Sequence, residues 1–220
     1  MIENYTLKFL QGIKKNNNKP WFEKNRALYE GAKQNNLSVT DTLVTLISGF
    51  DPTVKNVIAR DCIFRINRDV RFSKNKAPYK TNMAIYINSE GKKADSPGYY
   101  LHIEPGKSFL ATGVWMPGMP VLNKIRQEID YNFNTWNNLL QKKSFRKSFP
   151  EGISREGALV RPPKGYDAAN PAIQFLLLKS FIVVHEIKSR ELTEKGLEKK
   201  LSEHYKNAKP FIDFLRMAIS

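Results

Sequence analysis

The chain has 220 residues, of which 41% are apolar, and a formal net charge of +15. This length and apolar content are enough to bury one sizeable core. A single cysteine excludes an intramolecular disulfide and a multi-thiolate metal site. No segment approaches the roughly eighteen consecutive apolar residues of a membrane-spanning helix, and the first residues lack the apolar centre of a signal peptide. The sequence therefore predicts a cytoplasmic protein with no membrane partner.

Helical spacing of apolar residues runs through the first fifty residues. The pattern predicts a helix that ends at the run Asn16–Asn18, a second that begins near Pro20, and a third that is stopped by Gly49. The same period predicts later helices over residues 121–129, 136–140, 193–208 and 210–219. The N-terminal part and the C-terminal part are therefore expected to be mainly helical.

Between residues 60 and 116 the apolar period changes from 3.6 to 2, which predicts strands. Candidate strands cover residues 62–66, 83–88, 99–104 and 108–116, and SFIVVHEI at 180–187 predicts a last one. The short connections favour an antiparallel meander that packs against the N-terminal and C-terminal helices. Alternation along the fourth candidate strand places Trp115 in the core with Phe109 and Ala111.

The order of these elements predicts an α+β fold in one domain over residues 1–220. Residues 1–50 form its helical part, residues 60–116 the sheet core, and residues 119–220 further helices and one strand. No repeat, low-complexity tract or linker divides the chain.

Positive charge is concentrated in two places, which we call the first basic segment (residues 60–80) and the second basic segment (residues 140–164). Each contains seven lysines and arginines against two carboxylates. Such surfaces attract phosphates, nucleic acid or anionic lipid, and charge alone does not choose among them. The two segments are the candidates for contact with an anionic partner.

The run FRINRDVRFSKNKAPYK, together with YYLHIEPG, GVWMPG and LNKIR, resembles a family of bacterial and fungal proteins, the domain of unknown function 2461. The N-terminal pattern FL-x-x-I-K-x-NN-x-K-x-WF-x-x-NR is similar to that family as well, so the resemblance spans almost the whole chain. It implies a single-domain protein. The family has no established activity to carry over, so the roles of individual residues must come from their chemistry.

Three arginines in the first basic segment are unusual. If the strand at 62–66 continues to Phe72, Arg68 falls on its apolar face, while Arg65, Asp69 and Arg71 share the other. A buried guanidinium keeps its charge and requires carboxylates, carbonyl oxygens or a bound anion. Alternatively, a turn at residues 67–69 makes the arginines converge. The segment is then an anion pocket, a structural network of arginines with Asp69 and Glu104, or a solvated basic face.

The run SKNKAPYK adds Lys76, Tyr79 and Lys80 around Pro78, whose fixed φ stiffens the bend. It contains no glycine that would bring backbone amides against a phosphate, so side chains would have to hold the ligand. A lysine-rich surface loop without a ligand is the other interpretation. Arg126, in the motif LNKIR, is predicted to reach back toward the sheet as a further ligand-binding residue.

Tyr100, His102 and Glu104 alternate onto one face of the third candidate strand. His102 and Glu104 are the candidate catalytic acid/base pair, and Tyr100 is a candidate ligand-binding residue. A half-exposed strand also carries such residues without any catalytic role. Asp69, His102 and Glu104 could together supply metal ligands, but the neighbouring arginines disfavour a divalent cation, so no metal is predicted.

Three functions remain open. The first is binding of a phosphorylated or other anionic small molecule, with or without catalysis. The second is a nucleic-acid-binding module that uses both basic segments, and the third is a structural protein with an internal network of arginines and carboxylates. The sequence identifies no cofactor.

Overall fold

The computed structural model of the chain describes residues 1–92 and 94–220. Within these residues there are ten α-helices and four β-strands, which confirms the α+β class. The helices are α1 (Asn4–Lys15), α2 (Lys19–Lys24), α3 (Arg26–Ser48), α4 (Ala59–Cys62), α5 (Met119–Tyr131), α6 (Phe133–Gln141), α7 (Lys143–Ser148), α8 (Ile173–Leu176), α9 (Leu197–Asn207) and α10 (Lys209–Ile219). The strands are β1 (Met83–Ile87), β2 (Gly98–Ile103), β3 (Ser108–Val114) and β4 (Phe181–Ile187).

The four strands form one antiparallel sheet in the order β1-β2-β3-β4, which is the predicted meander. A single bridge covers part of each end strand: Ile63 pairs with Ile85 of β1, and Ile153 pairs with Val183 of β4. Unpaired strand edges invite pairing with other chains, so these loop bridges limit the length of edge that is exposed.

The described residues divide into two compact units, and the first comprises Met1–Lys92, Tyr100–Leu110 and Glu186–Ser202. Its helical core is built by α1 against α3, where the side chain of Phe9 is fully buried. The ring of Phe9 contacts three further aromatic rings, those of Trp21, Phe22 and Tyr29. This cluster joins α1, α2 and α3 through aromatic packing.

The second unit comprises residues 94–99, Ala111–His185 and Glu203–Ser220. Trp136 on α6 is fully buried at its centre. Four phenylalanine rings lie with their centroids 4.9 to 6.2 Å from the indole, those of Phe175, Phe181, Phe211 and Phe214. Aromatic burial on this scale holds α6, α8, β4 and α10 together.

The helical character of the first fifty residues is confirmed, and two asparagine-containing breaks divide them. Asn18 caps α2 by accepting a hydrogen bond from the amide of Trp21 at 3.0 Å, and Pro20 lies in the first turn. A second break at Asn25, which the apolar period did not indicate, separates α2 from the long helix α3.

The predicted strand over residues 62–66 is wrong, as is its continuation to Phe72. Cys62 ends the short helix α4. Beyond it the chain makes the bridge from Ile63 to Ile85 and a hydrogen bond from the amide of Phe64 to the carbonyl of Ala84 at 3.1 Å. Apolar alternation over five residues is compatible with a helix end followed by an extended loop, because a strand also requires a partner along its length.

The core position predicted for Trp115 is also wrong, because its side chain is 56% exposed. Strand β3 ends at Val114, and Met116 adopts a φ of 44°, which turns the chain. The alternation therefore stops one residue before Trp115.

The prediction of one domain over residues 1–220 stays a prediction. Among the helices of residues 1–92 and 94–220, none is both long enough and apolar enough to cross a bilayer.

Gly113 on β3 allows a close backbone approach, and substituting it should be costly. Its φ is +128°, and an added Cβ would lie 1.9 Å from the carbonyl oxygen of Phe181. We expect Gly113→Ala to lower the free energy of unfolding by about 3 kcal/mol or more, measured by urea denaturation. Gly152→Ala is the control, since φ is +66° there and no atom lies within 4 Å of the added Cβ. It should cost only about 1 kcal/mol, and equal losses in both variants would contradict the packing argument.

Candidate functional site

Residues 66–80, which we call the basic loop, form a closed hairpin-like loop. Asn67 bridges Tyr79, and the amides of Arg68 and Lys80 donate to the carbonyls of Pro78 and Ile66 at 2.9 and 2.8 Å. The chain reverses beyond these residues, so the structure does not adopt the alternative of a turn at residues 67–69.

The guanidinium of Arg68 donates hydrogen bonds to two other residues of the basic loop. Its Nη1 donates to the carbonyl of Ala77 at 2.9 Å, and Nη2 donates to the hydroxyl of Ser73 at 3.3 Å. The sequence left open whether a carboxylate, carbonyl groups or a bound anion would balance the charge of Arg68. In the structure, one carbonyl and one hydroxyl oxygen accept its hydrogen bonds.

Arg71, Asp69 and Lys76 interact at the exposed side of the basic loop. Nη2 of Arg71 lies 2.7 Å from Oδ2 of Asp69, and this hydrogen bond lowers the pKa of the Asp69 carboxyl. Nζ of Lys76 donates to the carbonyl of Val70 at 3.1 Å. These contacts use the charges to hold the loop, although exposed ion pairs contribute little to stability.

Tyr79 connects the basic loop to the helices of the first unit. Its side chain is 8% exposed, and its ring stacks on Phe22 with centroids 4.3 Å apart. Its amide donates to Oδ1 of Asn17 at 3.0 Å, and its carbonyl accepts from Nδ2 of Asn17 at 2.9 Å. Tyr79 therefore has a packing role in this position.

Two lysines lie over one aromatic ring, and the charge of Arg65 acts on one of them; we call Arg65, Lys80 and Lys92 the cation cluster. The Nζ atoms of Lys80 and Lys92 lie 5.2 and 5.7 Å from the centroid of the Phe64 ring. Burial, followed by the charges of Arg65 and Lys92, lowers the pKa of Lys80. The cluster is thus a place where positive charges repel one another.

Tyr100, His102 and Glu104 form a hydrogen-bonded series, which we call the Tyr–His–Glu chain. Oη of Tyr100 lies 3.2 Å from Nδ1 of His102, and Nε2 of His102 lies 3.3 Å from Oε2 of Glu104. Nδ2 of the Asn82 side chain lies 3.3 Å from the same Nδ1. One tautomer is compatible with all three contacts: Nε2–H donates to Glu104, and the donors of Tyr100 and Asn82 share the single lone pair of Nδ1.

Neighbouring groups hold the Tyr–His–Glu chain in place. Phe109 of β3 stacks on the imidazole of His102 with centroids 4.7 Å apart and planes 12° apart. The hydroxyl of Thr81 donates to Oε1 of Glu104 at 3.1 Å, and Nζ of Lys14 lies 3.7 Å from the same oxygen. Phe109 on β3 thus packs against His102, while Thr81, which precedes β1, and Lys14 on α1 hold the Glu104 end of the series.

The surroundings set the protonation of each member of the chain. Burial lowers the pKa of His102, and Glu104 opposes this effect. Burial raises the pKa of Tyr100, which keeps the phenol protonated. For Glu104, burial acts to raise the pKa, but hydrogen bonds from His102 and Thr81 and nearby positive charge outweigh it, so the pKa is lowered. At neutral pH the chain contains a phenol, a neutral imidazole and a carboxylate.

The ring of Phe64 connects the cation cluster with the Tyr–His–Glu chain. It meets the ring of Tyr100 edge-on, with centroids 6.4 Å apart and planes 70° apart. The structure therefore brings together Arg65, Lys80, Tyr100, His102 and Glu104 from among the predicted site residues.

Arg126 belongs to the second unit. Its side chain is 2% exposed, and Nη2 donates to the carbonyl of Leu178 at 2.9 Å. Burial lowers the pKa of this guanidinium. The contact with Leu178 gives Arg126 a structural role between α5 and the segment after α8.

Sequence reasoning missed Phe64, Thr81, Asn82, Lys92 and Phe109 as members of the site. Alternation placed Phe109 in the core with Trp115, whereas its side chain is only half-buried and stacks on His102. The other four come from chain segments whose position depends on folding, and no local pattern distinguishes them.

The described residues offer no group of three or more His, Cys, Asp or Glu side chains that could hold a metal ion. Asp69, His102 and Glu104 therefore do not form the set of metal ligands that the sequence left possible. Burial raises the pKa of Cys62 to about 11, so its thiol stays protonated at neutral pH.

Comparison with known proteins gives one match. A family model described as conserved hypothetical protein (DUF2461) matches residues 5–214, which confirms the resemblance carried by the sequence motifs. No curated protein and no solved structure matches the chain.

Replacing Glu104 with Gln should lower the pKa of His102 further. The carboxylate beside Nε2 favours the imidazolium, and its removal leaves the effect of burial unopposed. NMR titration of the imidazole protons measures this change. Glu186→Gln, at an exposed position of β4, is the control and should leave the titration of His102 unchanged. A pKa of His102 that stays the same or rises in Glu104→Gln would show that the pair does not form in solution.

Proposed function

We propose that this chain, which belongs to the DUF2461 family, binds an anionic small molecule beside Phe64 and exchanges a proton with it through the Tyr–His–Glu chain. One observation carries the proposal. The ring that lies 5.2 Å from Nζ of Lys80 and 5.7 Å from Nζ of Lys92 is the same ring that meets Tyr100. Positive charge and a proton-transfer group thus share one aromatic neighbour.

Electrostatics supports an anion at this position. Among the described residues, no carboxylate forms an ion pair with any member of the cation cluster. Like charges held together raise the free energy of the folded state, and the lowered pKa of Lys80 reflects this cost together with burial. An oxyanion between the cations would remove the repulsion and gain charge-assisted hydrogen bonds.

The contribution of each cation differs from the sequence-based hypothesis. Arg68, Arg71 and Lys76 have acceptors within the basic loop. The proposed anion site therefore keeps Arg65 and Lys80. It adds Lys92, whose Nζ donates to the carbonyl of Ile63 at 2.5 Å and has two further N–H donors for an anion. Arg65 is exposed and can supply a guanidinium fork to a phosphate or carboxylate.

The Tyr–His–Glu chain is arranged for general acid–base chemistry. If the oxygen of Tyr100 takes a proton from a bound substrate while its own proton passes to Nδ1 of His102, an imidazolium forms. The carboxylate of Glu104, 3.3 Å from Nε2, stabilises that charge. The reverse transfer returns the proton. We propose that His102 and Glu104 serve as this acid/base pair and that Tyr100 contacts the substrate.

A second candidate function is nucleic-acid binding without chemistry, and one observation favours it. Phe72 lies in the basic loop with its side chain 96% exposed, next to Arg71, whose guanidinium carbon is 5.9 Å from the ring centroid. An exposed aromatic ring among cations can stack on a base while the cations contact phosphates.

Replacing Lys80 with Met tests the anion site. Inorganic phosphate should raise the melting temperature of the wild-type protein above that in chloride at equal ionic strength, since it binds the folded state. Lys80→Met keeps the apolar stem and removes the charge. It should weaken phosphate binding about ten-fold or more by calorimetry, because hydrogen bonds to charged groups contribute roughly 1.5 to 3 kcal/mol.

Lys74→Met is the matched control, because Lys74 is an exposed lysine of the same loop and lies outside the cation cluster. If both variants bind phosphate equally weakly, phosphate binding depends only on the net charge of the protein. If phosphate raises the melting temperature of the wild-type protein no more than chloride does, the proposed anion site is wrong.

The nucleic-acid candidate predicts a role for Phe72. A single-stranded oligothymidine should bind Phe72→Ala about ten-fold more weakly than wild type, because base stacking contributes about 1 to 3 kcal/mol per base. Fluorescence anisotropy at several salt concentrations measures the affinity and its decline with salt. Val160→Ala, at a position that is 97% exposed in the second unit, is the control. If Phe72→Ala and wild type bind the oligothymidine equally well, Phe72 makes no contact with nucleic acid.

A further inference from the structure

The second unit contains a cavity of about 300 Å³ that the proposed function does not use. Its walls come from α6, α7, α8 and the loop that follows α7. Most of that loop belongs to the second basic segment, which has no part in the site beside Phe64. The volume lies at the lower end of the range for small-molecule pockets.

Part of the cavity wall is apolar and rigid. Phe145 and Phe149 are 3% and 1% exposed, and their ring centroids lie 5.4 Å apart. Phe175 contributes a third ring, which meets Trp136 edge-on at 5.7 Å. These rings are held by the core of the second unit, so the wall exists before any ligand binds.

Two arginines line the same cavity with little of their hydrogen-bonding capacity used. Nη1 of Arg146 donates to Oε1 of Gln141 at 3.1 Å, and Nη1 of Arg155 donates to the carbonyl of Gln174 at 3.5 Å. A guanidinium has five N–H donors, so most donors of both groups remain for other acceptors.

The charge of the lining is unbalanced. Glu151 is the only carboxylate among the lining residues, against Arg146 and Arg155. Within the described part of the chain, none of the three forms an ion pair. An anion in the cavity would meet two guanidinium groups, which match the geometry of phosphate and carboxylate oxygens.

We propose that this cavity is a binding site for a small organic oxyanion with a flat apolar body, such as an aryl phosphate or an aryl carboxylate. Arg146 and Arg155 bind the charged group, and the phenylalanine wall packs against the ring of the ligand. Asn137, Gln141 and Gln174 also line the cavity, and their side-chain amides can fix the orientation of the ligand. The proposal is independent of the site beside Phe64, because the two share no residue.

Calorimetric titration of the full chain with phenyl phosphate tests the combination of charge and ring. Phenyl phosphate should bind at least about ten-fold more tightly than phenol, which lacks the charge, and than inorganic phosphate, which lacks the ring. Benzoate distinguishes a carboxylate from a phosphate as the preferred group. Inorganic phosphate that binds as tightly as phenyl phosphate, and is weakened equally by Arg146→Gln and Arg155→Gln, would overturn the proposal, because the aromatic wall would then contribute nothing.

Single substitutions locate the binding. Arg146→Gln and Arg155→Gln should each weaken phenyl phosphate binding about ten-fold, since each removes a charge from the lining. Leu140→Trp, which narrows the cavity without changing its charge, should weaken binding as well. Arg161→Gln is the control, because Arg161 is an exposed arginine of the same unit outside the lining.

Circular dichroism of each variant confirms that the fold is kept. Unchanged affinity in both Arg146→Gln and Arg155→Gln would overturn the proposal. So would a loss in Lys80→Met as large as in these variants, which would place the ligand beside Phe64. Tighter binding of a short oligothymidine than of phenyl phosphate at the same arginines would replace the small molecule with nucleic acid.

Discussion

One asparagine side chain determines where the basic loop lies in the first unit. Asn17 both accepts from the amide of Tyr79 and donates to its carbonyl, as a neighbouring strand would, and the Tyr79 ring stacks on Phe22. Because Tyr79 is fixed through backbone and ring, the next residue, Lys80, is restricted to the vicinity of Phe64. The cation cluster therefore depends on a hydrogen-bonded anchor 62 residues away in sequence.

Glu104 organises the polar side of the same region. This partly buried carboxylate accepts hydrogen bonds from Thr81 and His102 and lies near Lys14, so three chain segments meet at its two oxygens. Burying a carboxylate is unfavourable unless such partners surround it. Their combined effect keeps Glu104 ionised, and the ionised form in turn selects the tautomer of His102 that leaves Nδ1 facing Tyr100.

The two basic segments have equal charge and different surroundings. In the first, Arg68 and Lys76 donate to acceptors of their own loop, and Arg71 pairs with Asp69. In the second, Arg146 and Arg155 border a cavity and have few protein acceptors. A cation whose donors are satisfied by its own loop holds structure, and one whose donors face a concavity is available to a ligand. Net charge is the same in both cases, so only the position of acceptors separates them.

The sequence by itself determined the helical character of the first fifty residues, the strands β1 to β4 and the shared face of Tyr100, His102 and Glu104, because each follows from a local period. Only the tertiary structure decided that residues 62–66 form no strand, that Arg68 is satisfied by Ala77, and that Lys92 joins Lys80 at Phe64. The reason is physical. Periodicity records which side chains share one face of one element, whereas a strand needs a partner edge, and a buried charge needs an acceptor or an anion that folding brings from elsewhere in the chain.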